Sequence, residues 1–284
     1  NTTSFPAFKV ISLYTSKTGY VYVGTDSNGI YRSTDGGSSW HSVNTGIVQL
    51  HINSITEDPS GYLFAGTSGV GIYRSTNQGT SWLEVDPFSS GNADTYFIAV
   101  NSKGDIFAAL NLMGWVLRST NGGTNWTSLT VASNVFYIYS LAIDTSGKIF
   151  AGTSSGIYVS TNNGNSWTKP TTSFSTADIL TLCTAANGYV WAGTYDQGMY
   201  CSSDRGITWK STSLSIGRVN VVIYDGTTLC IGTTAQGVYS SKDNGITIST
   251  INDKLTNLNV FSLTIHAGKT LFAGTQNGIF KKTL

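Results

Sequence analysis

The chain has 284 residues, 11% of them charged, with 16 Lys and Arg against 15 Asp and Glu and a formal net charge of +1. Charge this sparse and balanced excludes a partner such as nucleic acid or an anionic membrane surface, because affinity for those needs clustered Lys and Arg. No apolar run approaches the roughly 18 residues that a spanning helix needs, and no charged n-region precedes an apolar h-region, so the chain reads as soluble, without membrane insertion.

Taken in order, one short motif recurs from end to end. Ser-x-Asp/Asn-x-Gly-x-x-Trp occupies Ser33 to Trp40, Ser75 to Trp82, Ser119 to Trp126, Ser160 to Trp167 and Ser202 to Trp209, and a sixth copy, Ser241 to Ile248, has lost its Trp. Upstream of most copies an apolar run ends in Gly-Thr, as at Gly24-Thr25, Gly66-Thr67, Gly152-Thr153, Gly193-Thr194 and Gly232-Thr233; Gly274-Thr275 opens a seventh unit that stops at Leu284. A period of about 40 to 45 residues marks a repeat architecture, so the whole chain, 1–284, is expected to be a single domain.

Each unit reads as four short strands, A to D. In the second unit these are Asn53 to Thr56, Tyr62 to Thr67, Gly71 to Thr76 and Ser81 to Val85, apolar and β-branched or aromatic, with turn residues between. No stretch sustains a 3.6 period, so helices are expected to be nearly absent. The Ser-x-Asp/Asn-x-Gly turn closes the C–D hairpin: the Asp or Asn accepts from backbone N–H groups just beyond it, and the Gly can take φ > 0. The following Trp then packs between units. One four-stranded sheet cannot bury both its faces alone, so the units stack around an axis. The expectation is an all-β, seven-bladed β-propeller of four antiparallel strands per blade. The seventh unit has no D strand, so residues 1–5 are expected to supply the outer strand of the last blade.

The repeat resembles the Asp-box or BNR repeat of sialidases, xyloglucan hydrolases, sortilin-type receptors and the photosystem II assembly-factor family. Its B–C part, as in Gly188-Tyr189-Val190-Trp191-Ala192-Gly193-Thr194, is also similar to the propellers of two-component sensor ectodomains. This resemblance implies the fold and leaves function open, because the group spans enzymes, receptors and scaffolds. A sialidase-like site would need three Arg, a Tyr with a Glu, and an Asp acid. Arg32, Arg74 and Arg118 share one place on strand C, which puts them around the ring, far from the axis and at a solvated strand position. A xyloglucan-hydrolase-like cleft would need two propellers, and this chain has one.

In an up-and-down propeller the D–A and B–C loops leave on one face and the Ser-x-Asp/Asn-x-Gly turns on the other. The residue before each A strand is Lys9, His51, Asp94, Tyr137, Asp178, Arg218 or Asn259: seven equivalent places holding polar, non-identical side chains. Other repeat positions are monotonous, so this ring is the candidate binding site at the mouth of an axial channel. The third blade replaces Gly-Thr and its small loop with Ala109-Leu110-Asn111-Leu112-Met113-Gly114-Trp115, adding Leu112, Met113 and Trp115 to that face. Phe88, Tyr96, Phe136, Tyr137 and Phe174 lie in or near the long D–A loops. Aromatics beside amides and carboxylates suit sugar rings, and flat aromatic patches also serve protein partners.

The leading expectation is a non-catalytic extracellular or periplasmic bacterial propeller that binds a glycan or a protein partner. The alternative is a carbohydrate-active hydrolase or lyase using Asp94, Asp178 and Asp196, or Tyr137, His51 and Arg218 as base and charge stabiliser. A third is an assembly subunit of a larger complex. No cofactor is implied, and no metal site: His51 stands alone, and Cys183, Cys201 and Cys230 have no paired metal spacing and read as buried small hydrophobes.

Overall fold

The computed structural model describes residues 5–85, 94–110, 114–171, 174, 176–214 and 217–284. Blade one is β1 (Val10–Thr15), β2 (Val21–Thr25), β3 (Ile30–Ser33) and β4 (His41–Ser42). Blade two is β5 (Ile52–Glu57), β6 (Leu63–Thr67), β7 (Gly71–Ser75) and β8 (Leu83–Glu84), and blade three is β9 (Thr95–Val100), β10 (Ile106–Leu110), β11 (Trp115–Ser119) and β12 (Thr127–Thr130). Blade four holds β13 (Ile138–Ile143), β14 (Ile149–Thr153) and β15 (Gly156–Ser160). Blade five is β16 (Ile179–Thr184), β17 (Val190–Thr194), β18 (Met199–Ser202) and β19 (Lys210–Ser211). Blade six is β20 (Val219–Tyr224), β21 (Leu229–Thr233), β22 (Val238–Ser241) and β23 (Ser249–Thr250), and blade seven holds β24 (Val260–His266), β25 (Thr270–Thr275) and β26 (Gly278–Thr283).

All sheets are antiparallel, each blade pairs its strands in sequence order, and the first strands of neighbouring blades face one another around a closed ring in which β24 returns to β1. The molecule is therefore a seven-bladed β-propeller, without helices among the described residues. Among the described residues blades four and seven show three strands. In blade four the outer strand shrinks to one bridge, Val159 with Thr168. The strand expected from residues 1–5 falls mostly outside the described residues. Its last member, Phe5, is buried with Ile279 and Phe272 of blade seven and meets Tyr31 and Trp40 of blade one edge-on.

The core lies in the seams. Among the described residues seven apolar clusters form, and each draws on two neighbouring blades. The second strands are buried along almost their whole length, because each is covered on both faces; this is why they read as continuous apolar runs and not as an alternation. The Gly of Gly-Thr makes room for the next blade: a Cβ on Gly152 would lie 2.9 Å from Ile179 Cγ2, and one on Gly274 would lie 2.4 Å from Val10 Cγ1 at the seam that closes the ring. The Thr beside it closes the B–C loop, Thr25 Oγ1 donating to Gly29 O at 2.8 Å and Thr194 Oγ1 to Gly198 O at 2.8 Å.

The C–D turns form as the sequence predicts. Gly37 N donates to Ser33 Oγ at 2.8 Å while Ser38 N and Ser39 N donate to Asp35 Oδ1, each at 2.9 Å. The residue before each turn Gly also takes a left-handed φ, as at Gln78 (56°) and Asn163 (59°), which accompanies a carbonyl used by the preceding blade. Those carbonyls accept from Lys281 Nζ (Gly36), Arg32 Nη1 (Gln78), Arg74 Nη1 (Gly122), Arg118 Nη1 (Asn163) and Lys148 Nζ (Arg205). Arg32, Arg74 and Arg118 are thus not merely solvated strand positions; they latch each blade to the next. Trp82 and Trp126 do the same in the other direction, their indole N–H groups donating to Val43 O and Val85 O.

Candidate functional site

All seven residues expected at the channel mouth immediately precede an inner strand. Among the described residues the carbonyls of six of them tie that position to the B–C loop of the same blade, as in Asp26 N to Lys9 O (3.1 Å), Tyr195 N to Asp178 O (3.0 Å) and Thr234 N to Arg218 O (3.1 Å), which fixes the D–A and B–C loops on one face. Inside that mouth lies an axial channel of about 710 Å³.

The channel wall is made by a feature the sequence does not announce. In every inner strand the pairing with the second strand skips one residue: Val10 pairs with Thr25 but Ser12 with Gly24, and the same step recurs in all seven blades. The skipped residues are Ile11, Asn53, Tyr96, Tyr139, Leu180, Asn220 and Phe261, and all of them line the channel. A β-bulge leaves one residue unpaired and re-aims its side chain. Here the residue before each bulge, such as Val10, Ile52 or Ile179, is fully buried, and several of these wedge against a Gly of the preceding blade. The extra residue is left to line the channel. The seven bulged side chains are apolar, amide or aromatic in turn, so they vary as much as the ring above them.

Of the seven mouth residues, Lys9, His51 and Arg218 line the channel itself; Asp94, Tyr137, Asp178 and Asn259 stand at the rim outside it. Lys9 Nζ and His51 Nδ1 lie 3.4 and 3.3 Å from Asp26 Oδ1, so one carboxylate bridges blades one and two. Arg218 Nε donates to Asn220 Oδ1 at 2.9 Å, and its guanidinium lies 5.0 Å over the Tyr195 ring. Two amides brace the bulges: Asn53 Nδ2 donates to Thr95 O and Asn220 Nδ2 to Val260 O, each reaching the next blade. Tyr137 and Tyr139 stack at 6.0 Å and 16°. Burial first, and then the charge of Asp196, raises the Asp178 carboxyl above its ordinary range, a contact with Tyr139 working the other way. Burial, with Asp178 beside it, pushes the Tyr139 hydroxyl up to about 12.

Trp115 begins the third strand of its blade and packs half-buried against the apolar cluster that holds Ile72 and Leu110; it is not among the channel-lining residues. Phe174 is buried against Tyr200 and Trp209, whereas Phe136 stands exposed on the rim. Leu112, Met113 and Phe88 lie outside the described residues. Cys183, Cys201 and Cys230 are free, and burial pushes their thiols up to about 12, 11 and 12. Among the described residues no group of His, Cys, Asp and Glu is arranged to hold a metal.

The comparisons with known proteins come to the same architecture. A sequence model of the DUF6242 beta propeller domain matches residues 149–261, less than half of the chain. No curated protein matches it by sequence. Among solved structures, the GH74 xyloglucanase from Xanthomonas campestris superposes with a TM-score of 0.80 at 16% identity over 99% of this chain and 53% of that one. YCF48 bound to D1 peptide superposes at 0.75 with 18% identity over 98% and 94%. The extracellular domain of the one-component system protein BT4673 from B. thetaiotaomicron superposes at 0.77 with 17% identity over 97% and 38%. The chain spans about half the length of the GH74 enzymes it resembles. Identities this low establish a shared fold alone: the chain is a β-propeller similar to those of the GH74 enzymes, YCF48 and the BT4673 extracellular domain.

Proposed function

We propose that this chain is an extracytoplasmic, non-catalytic binding propeller that takes a glycan or a protein partner at the mouth of its axial channel, on the D–A/B–C face. The observation that carries this reading is the bulge at one position of all seven inner strands, with side chains of different chemistry lining one cavity. The rim supports contact with a partner: Val48, Phe136, Tyr137, Tyr195 and Leu258 are large apolar or aromatic residues exposed on D–A and B–C loops. A GH74 xyloglucanase and a peptide-bound YCF48 among the structural neighbours agree with both ligand classes. Glycan-array and affinity-gel binding, followed by Tyr139→Ala and Asn53→Ala, tests it. Binding that falls at least tenfold in either variant is expected; binding indifferent to both changes would overturn the site.

A second reading, a hydrolase or lyase, is favoured by one observation: Asp178 has a raised carboxyl beside Asp196, the arrangement a general acid needs. Product release from a polysaccharide panel, abolished by Asp178→Asn, would establish it.

A further inference from the structure

The three mouth residues that reach the channel are all basic: Lys9, His51 and Arg218. No carboxylate is among the channel-lining residues, although Asp178 touches Tyr139 from just outside them. Asp26 compensates part of this charge through Lys9 and His51. Arg218 is different. Among the described residues the ion pairs are Lys9–Asp26, His51–Asp26 and Lys282–Asp253, and none engages it.

Neutral groups hold Arg218 instead. Its Nε donates to Asn220 Oδ1, its plane rests on the Tyr195 ring, and Asn220 is itself tied to Thr234 Oγ1 at 3.0 Å and Val260 O at 2.8 Å. With Nε occupied, the edge formed by Nη1 and Nη2 remains, and that edge grips a carboxylate through two parallel hydrogen bonds. Elsewhere on the ring Tyr139 offers an aromatic wall, and Asn53, whose Nδ2 is spent on Ser68 Oγ and Thr95 O, keeps Oδ1 as an oriented acceptor. A cation with a forked edge, an aromatic face and an amide acceptor around one cavity match a sugar ring that carries a carboxylate. A peptide would pair with free strand edges. Here part of those edges is already taken by side chains: Ser12 Oγ donates to Ile52 O, while Ile98 N donates to Ser54 Oγ and Val222 N to Thr181 Oγ1.

Resting on the binding role proposed above, we infer that the channel mouth binds acidic glycans, with Arg218 gripping the carboxylate of a uronate residue, Tyr139 packing against the sugar face, and Asn220 positioning the guanidinium. The test is calorimetric titration of the intact chain with trimers of galacturonate, mannuronate and glucuronate, the methyl ester of the galacturonate trimer, and an acidic peptide with a free C-terminus. At least one uronate trimer binds, and its affinity falls at least tenfold in Arg218→Ala and on raising salt. Arg218→Lys, which keeps the charge but not the fork, recovers only part, and Asn220→Ala lowers affinity less than Arg218→Ala does. If galacturonate is the ligand, its methyl ester binds at least tenfold more weakly. Arg218 is exposed, so an unchanged melting temperature of Arg218→Ala confirms that the fold is intact. Equal binding of acid and ester, an unaffected Arg218→Ala, failure of every uronate trimer, or binding of the peptide alone overturns the inference. Neutral glycans bound in a Tyr139-dependent way would overturn it while leaving the mouth as the binding site; no glycan or peptide bound at all would overturn it and remove the glycan form of the binding role.

Discussion

The seam between blades four and five offers a direct test of how the wheel is held. Phe150, fully buried on β14, lies under the C–D turn of the next blade, where a Cβ on Gly206 would come within 2.5 Å of its Cε1 and 3.2 Å of its Cζ. Gly206 also has φ +78°, a conformation that costs other residues roughly 1–2 kcal/mol. Gly206→Ala therefore carries two penalties, that backbone term and about 1–3 kcal/mol of overpacking against the ring. Phe150→Ala alone should cost about 3–5 kcal/mol through lost burial and the cavity left behind. The double variant separates the two penalties. Removing the ring removes the clash but not the backbone term, so the pair should cost less than the sum of the singles by about 1–3 kcal/mol. Urea titration followed by tryptophan fluorescence reads the stability of each variant, and Trp209, which donates its indole N–H to Gly206 O at 3.2 Å, is one of the seven tryptophans that report it. Additivity within about 0.5 kcal/mol would refute the claim that the turn glycine is there to seat the neighbouring blade's aromatic ring.

Three further outcomes follow from named contacts. Arg74→Ala removes the donor to Gly122 O and should cost about 1.5–3 kcal/mol. Arg32→Ala should cost less, because the Tyr22 hydroxyl still satisfies Gln78 O; equal losses of melting temperature would contradict the latch. Hydrogen bonds from the hydroxyl and N–H of Thr208 hold the Asp204 carboxyl down to about 2 from an ordinary 3.8, and Asp243 is held likewise by Thr247. Because the folded value is depressed, their stabilisation is complete above about pH 4 and is lost as pH falls through about 2. Asp204→Asn, an exchange already present in blades two to four as Asn77, Asn121 and Asn162, should flatten its share of that acid melt, and an unchanged acid melt would discount it. Finally, the thiols of Cys183 and Cys230 should resist a maleimide or disulfide reagent at pH 8 in the native chain and react at once in urea, since burial pushes both up to about 12; rapid native labelling would show that those strands open.

The turns were legible because their chemistry is local. Ser33, Asp35 and Gly37 make their hydrogen bonds within four residues of one another, so spacing alone predicts them. The shared repeat position of Lys9, His51, Asp94, Tyr137, Asp178, Arg218 and Asn259 was legible because in a repeat a position that varies while its neighbours do not is visible without any coordinates; that only Lys9, His51 and Arg218 line the channel was not. Strand ends were less so. The fourth strand of blade two, expected over Ser81 to Val85, pairs only at Leu83 and Glu84, because an outer strand has a partner on one side and little burial to extend it.

The amino-acid sequence by itself determined the repeat, the all-β unit and the number of blades. All of these rest on contacts inside one unit and on the need of each sheet for a neighbour. Only the tertiary structure decided which residues meet at the axis. The bulge that lines the channel with Asn53 and Asn220 is fitted to the gap a glycine leaves in the preceding blade, and the role of Arg74 or Arg118 depends on a carbonyl more than forty positions away. Such long-range fits are set by the closure of the ring, which no local pattern records.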